Sequence, residues 1–152
     1  MKYIFFIFYV FIINLYTFNT FSKDFTLKGT GKLVRNETIT FPDGAKFVSF
    51  KHEGGFETNV GKYGMYHCTG SILYNLKSML ENMFFACEFK DQDGDIFIGM
   101  GKRKKGSDID RAVGQNNIIS GSGFWKDFIG YSCTYSVVYV EKIVFSPGNC
   151  RK

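Results

Sequence analysis

Three groups of residues in this chain have the types that do chemistry: four cysteines, an acidic turn and a basic run. Cys68, Cys87, Cys133 and Cys150 are an even set with none of the close pairs that structural zinc uses. His52 and His67 stand alone on separate predicted strands, so metal binding is not expected and disulfides account for the thiols. Asp91, Asp93 and Asp95 invite a calcium reading. An EF-hand loop, however, needs glycine at its sixth position and glutamate at its twelfth, and those places hold Ile96 and Lys102. Asp and Gly are also what a tight hairpin turn requires, and that structural reading is the stronger. The run Lys102-Arg103-Lys104-Lys105 could meet anionic head groups or polyanionic sugars, but a solvated loop that blunts a strand end is the commoner use. No Gly-x-Ser-x-Gly and no Cys–His nucleophile pair occurs. Glu53, Glu88 and Asp110 could act as acid or base only if they faced a cavity, and Glu88 falls on the polar side of its strand.

The aromatics are the set most open to two uses. Tyr66, Tyr74, Phe85, Phe89, Tyr131, Tyr135 and Tyr139 fall on predicted inward faces or near strand ends. They either fill the interior, the commoner outcome, or line a cavity for an apolar ligand with a polar end. Six of the seven, Tyr66, Tyr74, Phe85, Phe89, Tyr131 and Tyr135, are the candidate ligand-binding residues.

The elements that must position them are short runs separated by Gly, Asn and Asp. Seventeen glycines, frequent Phe and Tyr and only two prolines favour an all-β domain with tight turns. Phe25–Val34 and Ala45–His52 flank the turn signal Phe41-Pro42-Asp43-Gly44, and the stretch from Gly54 to Lys62 reads as a loop or a weak strand. From Gly64 the alternation sharpens: Tyr66, Cys68, Gly70, Ile72 and Tyr74 share one face. Met83, Phe85, Cys87 and Phe89 share another. With a side-chain period of two these faces point inward. Asp95–Lys102, Asp110–Asn117, Gly121–Trp125 and Gly130–Phe145 complete about eight strands. Eight antiparallel strands in series favour a closed barrel, which removes exposed edges; a two-layer sandwich is the alternative.

This register predicts a disulfide between Cys68 and Cys87, on neighbouring strands joined near Leu76–Ser78. By elimination Cys133 is left for Cys150, and here geometry objects. On one straight strand Cys133 would lie roughly 40 Å from Phe145, and the remaining residues reach back only about 17 Å. The bond demands that the strand bend or end several residues before Phe145, and nothing in Val138-Tyr139-Val140-Glu141 signals a turn.

Residues 1–22 read as a secretory signal: Lys2, an apolar run from Tyr3 to Phe21, and small residues at Thr20 and Ser22. An uncleaved anchor is the rival reading, and the only membrane association expected. The mature chain, residues 23–152, is then a single exported domain, secreted or periplasmic, with a net charge of about +4. That moderate charge is not the dense basic face of a nucleic-acid binder.

His67-Cys68-Thr69-Gly70, Ala86-Cys87-Glu88-Phe89 and Asp91-Gln92-Asp93-Gly94-Asp95 appear in an order that resembles small exported bacterial proteins with an allene oxide cyclase-like barrel. The segment from Gly114 to Gly123 resembles the glycine-rich stretch that follows in that group, with Asn116-Asn117 where a Gly-Thr-Gly type run is usual. The resemblance covers roughly residues 64–125. It implies an eight-stranded barrel related in shape to dirigent proteins and lipocalins; it transfers no activity, cofactor or catalytic residue. The expectation for function is non-catalytic binding of a small apolar ligand. A cyclase or isomerase and an interaction module of the cell envelope are the alternatives.

Overall fold

A computed structural model of the chain describes residues 24–152 apart from 104, 106–107 and 109–110. The proposed signal segment therefore lies outside the described residues, as does Asp110. Eight strands follow one another: β1 (Phe25–Thr40), β2 (Lys46–Thr58), β3 (Tyr63–Tyr74), β4 (Leu80–Asp91), β5 (Ile96–Arg103), β6 (Arg111–Gly121), β7 (Ser132–Val140) and β8 (Ile143–Arg151). Each pairs antiparallel with the next, and β8 closes onto β1 from Phe25↔Cys150 to Lys32↔Ile143. The barrel is shut over that span, so no sheet edge is left exposed there.

Turn chemistry explains where the strands stop. Asp43 accepts the Ala45 amide at 3.0 Å, and Gly44 takes φ +92° in the turn after β1. Asn75 does the same work after β3, its side-chain oxygen accepting the Lys77 and Met79 amides at 2.9 and 3.0 Å. The stretch read as a loop or weak strand is largely strand, since β2 runs on to Thr58 and only the turn to Tyr63 interrupts it.

Two expectations need correction, and they cancel in the strand count. Gly121–Trp125 is not a strand: β6 ends at Gly121, and Gly123–Phe128 is a 3₁₀ helix, η1. Phe124, Trp125 and Phe128 pack together from it, a spacing that suits a helical turn rather than alternation. Gly130–Phe145 is not one strand but two, turning at Glu141-Lys142, with Val140 paired to Ile143. Glu141 adopts φ +56°, a conformation usually left to glycine at the first position of such a turn. That turn removes the objection to the second bridge.

Both disulfides are present. Cys68–Cys87 links β3 to β4 and Cys133–Cys150 links β7 to β8, each between residues directly opposite in register, with Cα separations of 4.0 and 3.9 Å. All four sulfurs come from inward positions, so each staple crosses one strand pair on opposite sides of the barrel. Such a pair of bridges fits an oxidising, extracytoplasmic setting. No helix among the described residues is long and apolar enough to cross a membrane.

Candidate functional site: the lumen of the barrel

The two ends of the lumen are built differently. At the end where β1 begins, η1 folds across the opening. Trp125 is 0 % exposed and packs on Phe97, Phe25 and Phe128, with ring centroids 4.5, 5.8 and 5.6 Å away. The acidic turn is the clamp for this plug. Asp91 Oδ1 accepts the Asp93 and Asp95 amides at 3.0 and 2.9 Å, while Oδ2 accepts the Trp125 indole N–H at 3.0 Å. Asp95 then accepts the Phe124 amide at 2.9 Å. Burial of Asp91 pulls its pKa up, but the two amides and the nearby Lys62 ammonium outweigh it, so the carboxyl lies below its usual range. Those aspartates hold a turn and a plug together.

Above the plug lies a cavity of about 90 Å³. Its apolar wall includes Phe50, Met83, Phe85, Phe89, Val137 and Val144, with the sulfurs of Cys68, Cys87 and Cys133 among them. Glycines stand directly opposite two of the rings on the neighbouring strands, Gly101 beside Phe85 and Gly114 beside Tyr135. A side chain at Gly101 would collide with Phe85, and one at Gly114 with the Tyr135 hydroxyl. The rings therefore lie flat over backbone, and they fill most of the interior. What stays open is smaller than the roughly 150 Å³ cavity that holds benzene in an engineered protein.

Polar groups gather at the other side of this cavity. Arg103, the last residue of β5, is only 7 % exposed; Asn116 of β6, equally buried, lies deeper in the lumen with its side chain over Gly99. The guanidinium stands beside the hydroxyls of Tyr135 and Tyr139 and gives a hydrogen bond to the Asp108 carbonyl at 3.4 Å. The Tyr139 hydroxyl and His52 Nε2 are 3.1 Å apart. The Asn116 side-chain oxygen and the Tyr135 hydroxyl are both buried without a hydrogen-bond partner of normal geometry. Among the described lining residues there is no carboxylate.

Protonation states follow from this setting. Burial, then the Arg103 charge, pushes His52 down to about 4, so its imidazole is neutral at pH 7. Burial, with Tyr139 nearby, pushes Tyr66 up to about 12. Tyr135 and Tyr139 also rise through burial, against the opposing pull of Arg103. All three phenols stay protonated and can donate.

Of the six residues singled out from sequence, Tyr66, Phe85, Phe89 and Tyr135 line the cavity. Tyr131 sits in the plug instead, its ring 5.1 Å from that of Phe128. Tyr74, the last residue of β3, is half-buried and outside the lining. Five further lining residues are polar: His52, Arg103, Asn116, Tyr139 and Ser146. Arg103 corrects the reading of Lys102–Lys105 as a solvated loop, because its side chain is inside. The signal was the period of two, since Phe97, Gly99, Gly101 and Arg103 continue one inward face. No three His, Cys, Asp or Glu side chains among the described residues converge as a metal site would need. The chain matches no family model, and comparison with curated proteins and with solved structures gives no match either.

Proposed function

We propose that the protein is an exported barrel that binds a small, largely apolar molecule in its lumen without transforming it. The observation that carries this is the cavity itself: apolar-walled, edged by polar side chains, and set in a barrel whose other end is plugged by η1. A stable filled barrel has no need to leave polar atoms of Asn116 and Tyr135 buried and unpartnered beside an opening. Its volume limits the occupant, or the part of it that enters, to a few non-hydrogen atoms unless neighbouring rings swing aside. Export by residues 1–22 to the periplasm or outside the cell belongs to the same proposal, and the two disulfides support it. Kinship with the allene oxide cyclase-like group stays part of it, on the motifs quoted above.

An isomerase reading draws on one observation, the Asn116 amide beside the apolar wall, since a cyclase-type site needs an amide or carboxylate inside the barrel. The absence of a lining carboxylate among the described residues ranks it second. The test for binding is calorimetric or NMR titration with small neutral molecules such as 1-butanol. Saturable uptake that is lost in Val144→Phe, which fills the cavity, supports the proposal. Uptake equal in both proteins, or none, overturns it.

A further inference from the structure

β1 is longer than the seam it closes. Its pairing with β8 ends at Lys32↔Ile143, yet β1 runs on to Thr40, and from Leu33 onward it pairs, among the described residues, with β2 alone. Every residue from Lys32 to Thr40 is exposed. Asn36 and Thr38 stand opposite the buried Phe50 and Val48, and they are open to water because the β7–β8 hairpin turns back at Glu141-Lys142 before reaching them. A strand paired on one side only turns every second N–H and C=O outward, a template for another strand. Lysine, proline or a bulge commonly blunts such an edge. Here the bulge lies at the root of the overhang, between Leu33 and Arg35, and the regular stretch Arg35–Thr40 holds no lysine or proline. We propose that a second copy of this chain adds its own β1 to this edge, antiparallel, about a two-fold axis at Asn36.

The charge pattern selects both the partner and the register. With Asn36 opposite the partner's Asn36, Arg35 stands opposite the partner's Glu37, and Glu37 opposite the partner's Arg35. Arg35 Nε already donates to Glu37 Oε1 at 3.1 Å within one strand, so the two copies join their ion pairs into one row of alternating sign. Moving the axis by one residue sets Arg35 against the partner's Arg35, or Glu37 against the partner's Glu37, and like charges directly opposite are destabilising. Each Asn36 amide carries donors and an acceptor, so two of them can satisfy one another. Pairing extends from Val34 to Thr38 and stops where the β7–β8 turn occupies the edge. The same patch serves both copies, as a closed two-fold dimer requires, and its small size makes a dimer that exchanges with monomer. This contact is independent of what the lumen binds.

Sedimentation of the oxidised protein at low ionic strength, up to about 1 mM, should show a reversible monomer–dimer equilibrium. Arg35→Glu, at an exposed position that leaves the barrel intact, should weaken the dimer at least about tenfold. Arg35→Glu with Glu37→Arg, which swaps the charges, should restore it. The two-fold axis also brings the two Asn36 Cα atoms to about 4.5–5.5 Å, within disulfide reach. Asn36→Cys should therefore form a covalent dimer on mild oxidation, and Lys126→Cys, at the plugged end, should not. A protein that stays monomeric throughout overturns the proposal and leaves the edge to a strand of some other chain. A dimer that Arg35→Glu leaves intact, a charge swap that fails to restore it, or equal cross-linking at the two cysteines overturns it as well.

Discussion

The two sides of one lumen use buried polar groups in opposite ways. Beside the plug, every polar contact of Asp91 is answered: two amides, an indole N–H and a lysine 3.4 Å away converge on one carboxylate. Beside the cavity, the Asn116 oxygen is buried and goes unanswered, and the Tyr135 hydroxyl has only the Arg103 guanidinium beside it. A satisfied buried network stabilises and fixes a fold, whereas an unsatisfied one costs stability and is kept where something else uses it. The contrast separates residues that hold the fold from those that the proposal places at the ligand.

The plug should be the costliest place to cut. Trp125→Ala removes a fully buried ring and takes one donor from the Asp91 carboxylate, so urea unfolding should show a loss of about 3–5 kcal/mol. A loss below about 1 kcal/mol would mean that η1 merely rests on the barrel. The disulfides come next. Replacing Cys133 and Cys150 together by alanine opens a loop with a sequence separation of 17 and should cost about 3 kcal/mol by the same measurement.

A pH series separates the two sides through His52 and Asp91. His52, beside the cavity, ordinarily titrates near 6.5 but is pushed down to about 4 in the barrel. Between those values the unfolded chain takes up a proton that the folded state refuses. Its contribution is therefore complete above about pH 6.5 and is lost as the pH falls toward about 4. Asp91, beside the plug, has a lowered pKa, so its contribution is lost only at still lower pH, below the ordinary carboxylate value. Unfolding midpoints of the unaltered protein should fall from about pH 7 to about pH 4.5, and His52→Gln should flatten that slope. A variant with the unaltered slope would place the titration elsewhere. The smallest effect is expected at Asn116. Asn116→Leu keeps the shape and removes a polar group without a partner for its oxygen, so stability should change by less than about 1 kcal/mol or rise. A loss above about 2 kcal/mol would make Asn116 structural, like Asp91.

Where the chain announces its turns and alternates cleanly, the fold was legible. Gly64 to Phe89 carries strict alternation with Asn75 to punctuate it, and both the Cys68–Cys87 pairing and its register follow. The last hairpin was not legible for a physical reason. Glu141-Lys142 turns without glycine or asparagine, while Ser146-Pro147-Gly148-Asn149 has the composition of a turn and yet continues β8. Closure of the barrel, supplied by β1 and β7 on either side, overrides local preference there. The apolar half of the candidate site was equally open to reading, because Tyr66, Phe85 and Phe89 lie on the sharpest strands. Its charged half was hidden in composition: Arg103 stands in a run of four basic residues, and only strand parity distinguishes the one that turns inward.

If one side of the lumen takes a ligand and the other is solid, the chain's single tryptophan reports on the solid side. Amide and indole NMR spectra recorded during a titration with 1-butanol test this division directly. Saturable shifts should concentrate at Phe50, Phe85, Asn116 and Tyr135, while the Trp125 indole N–H signal stays fixed. A Trp125 signal that moves with the others, or shifts that never saturate, would show that the lumen is not divided in this way.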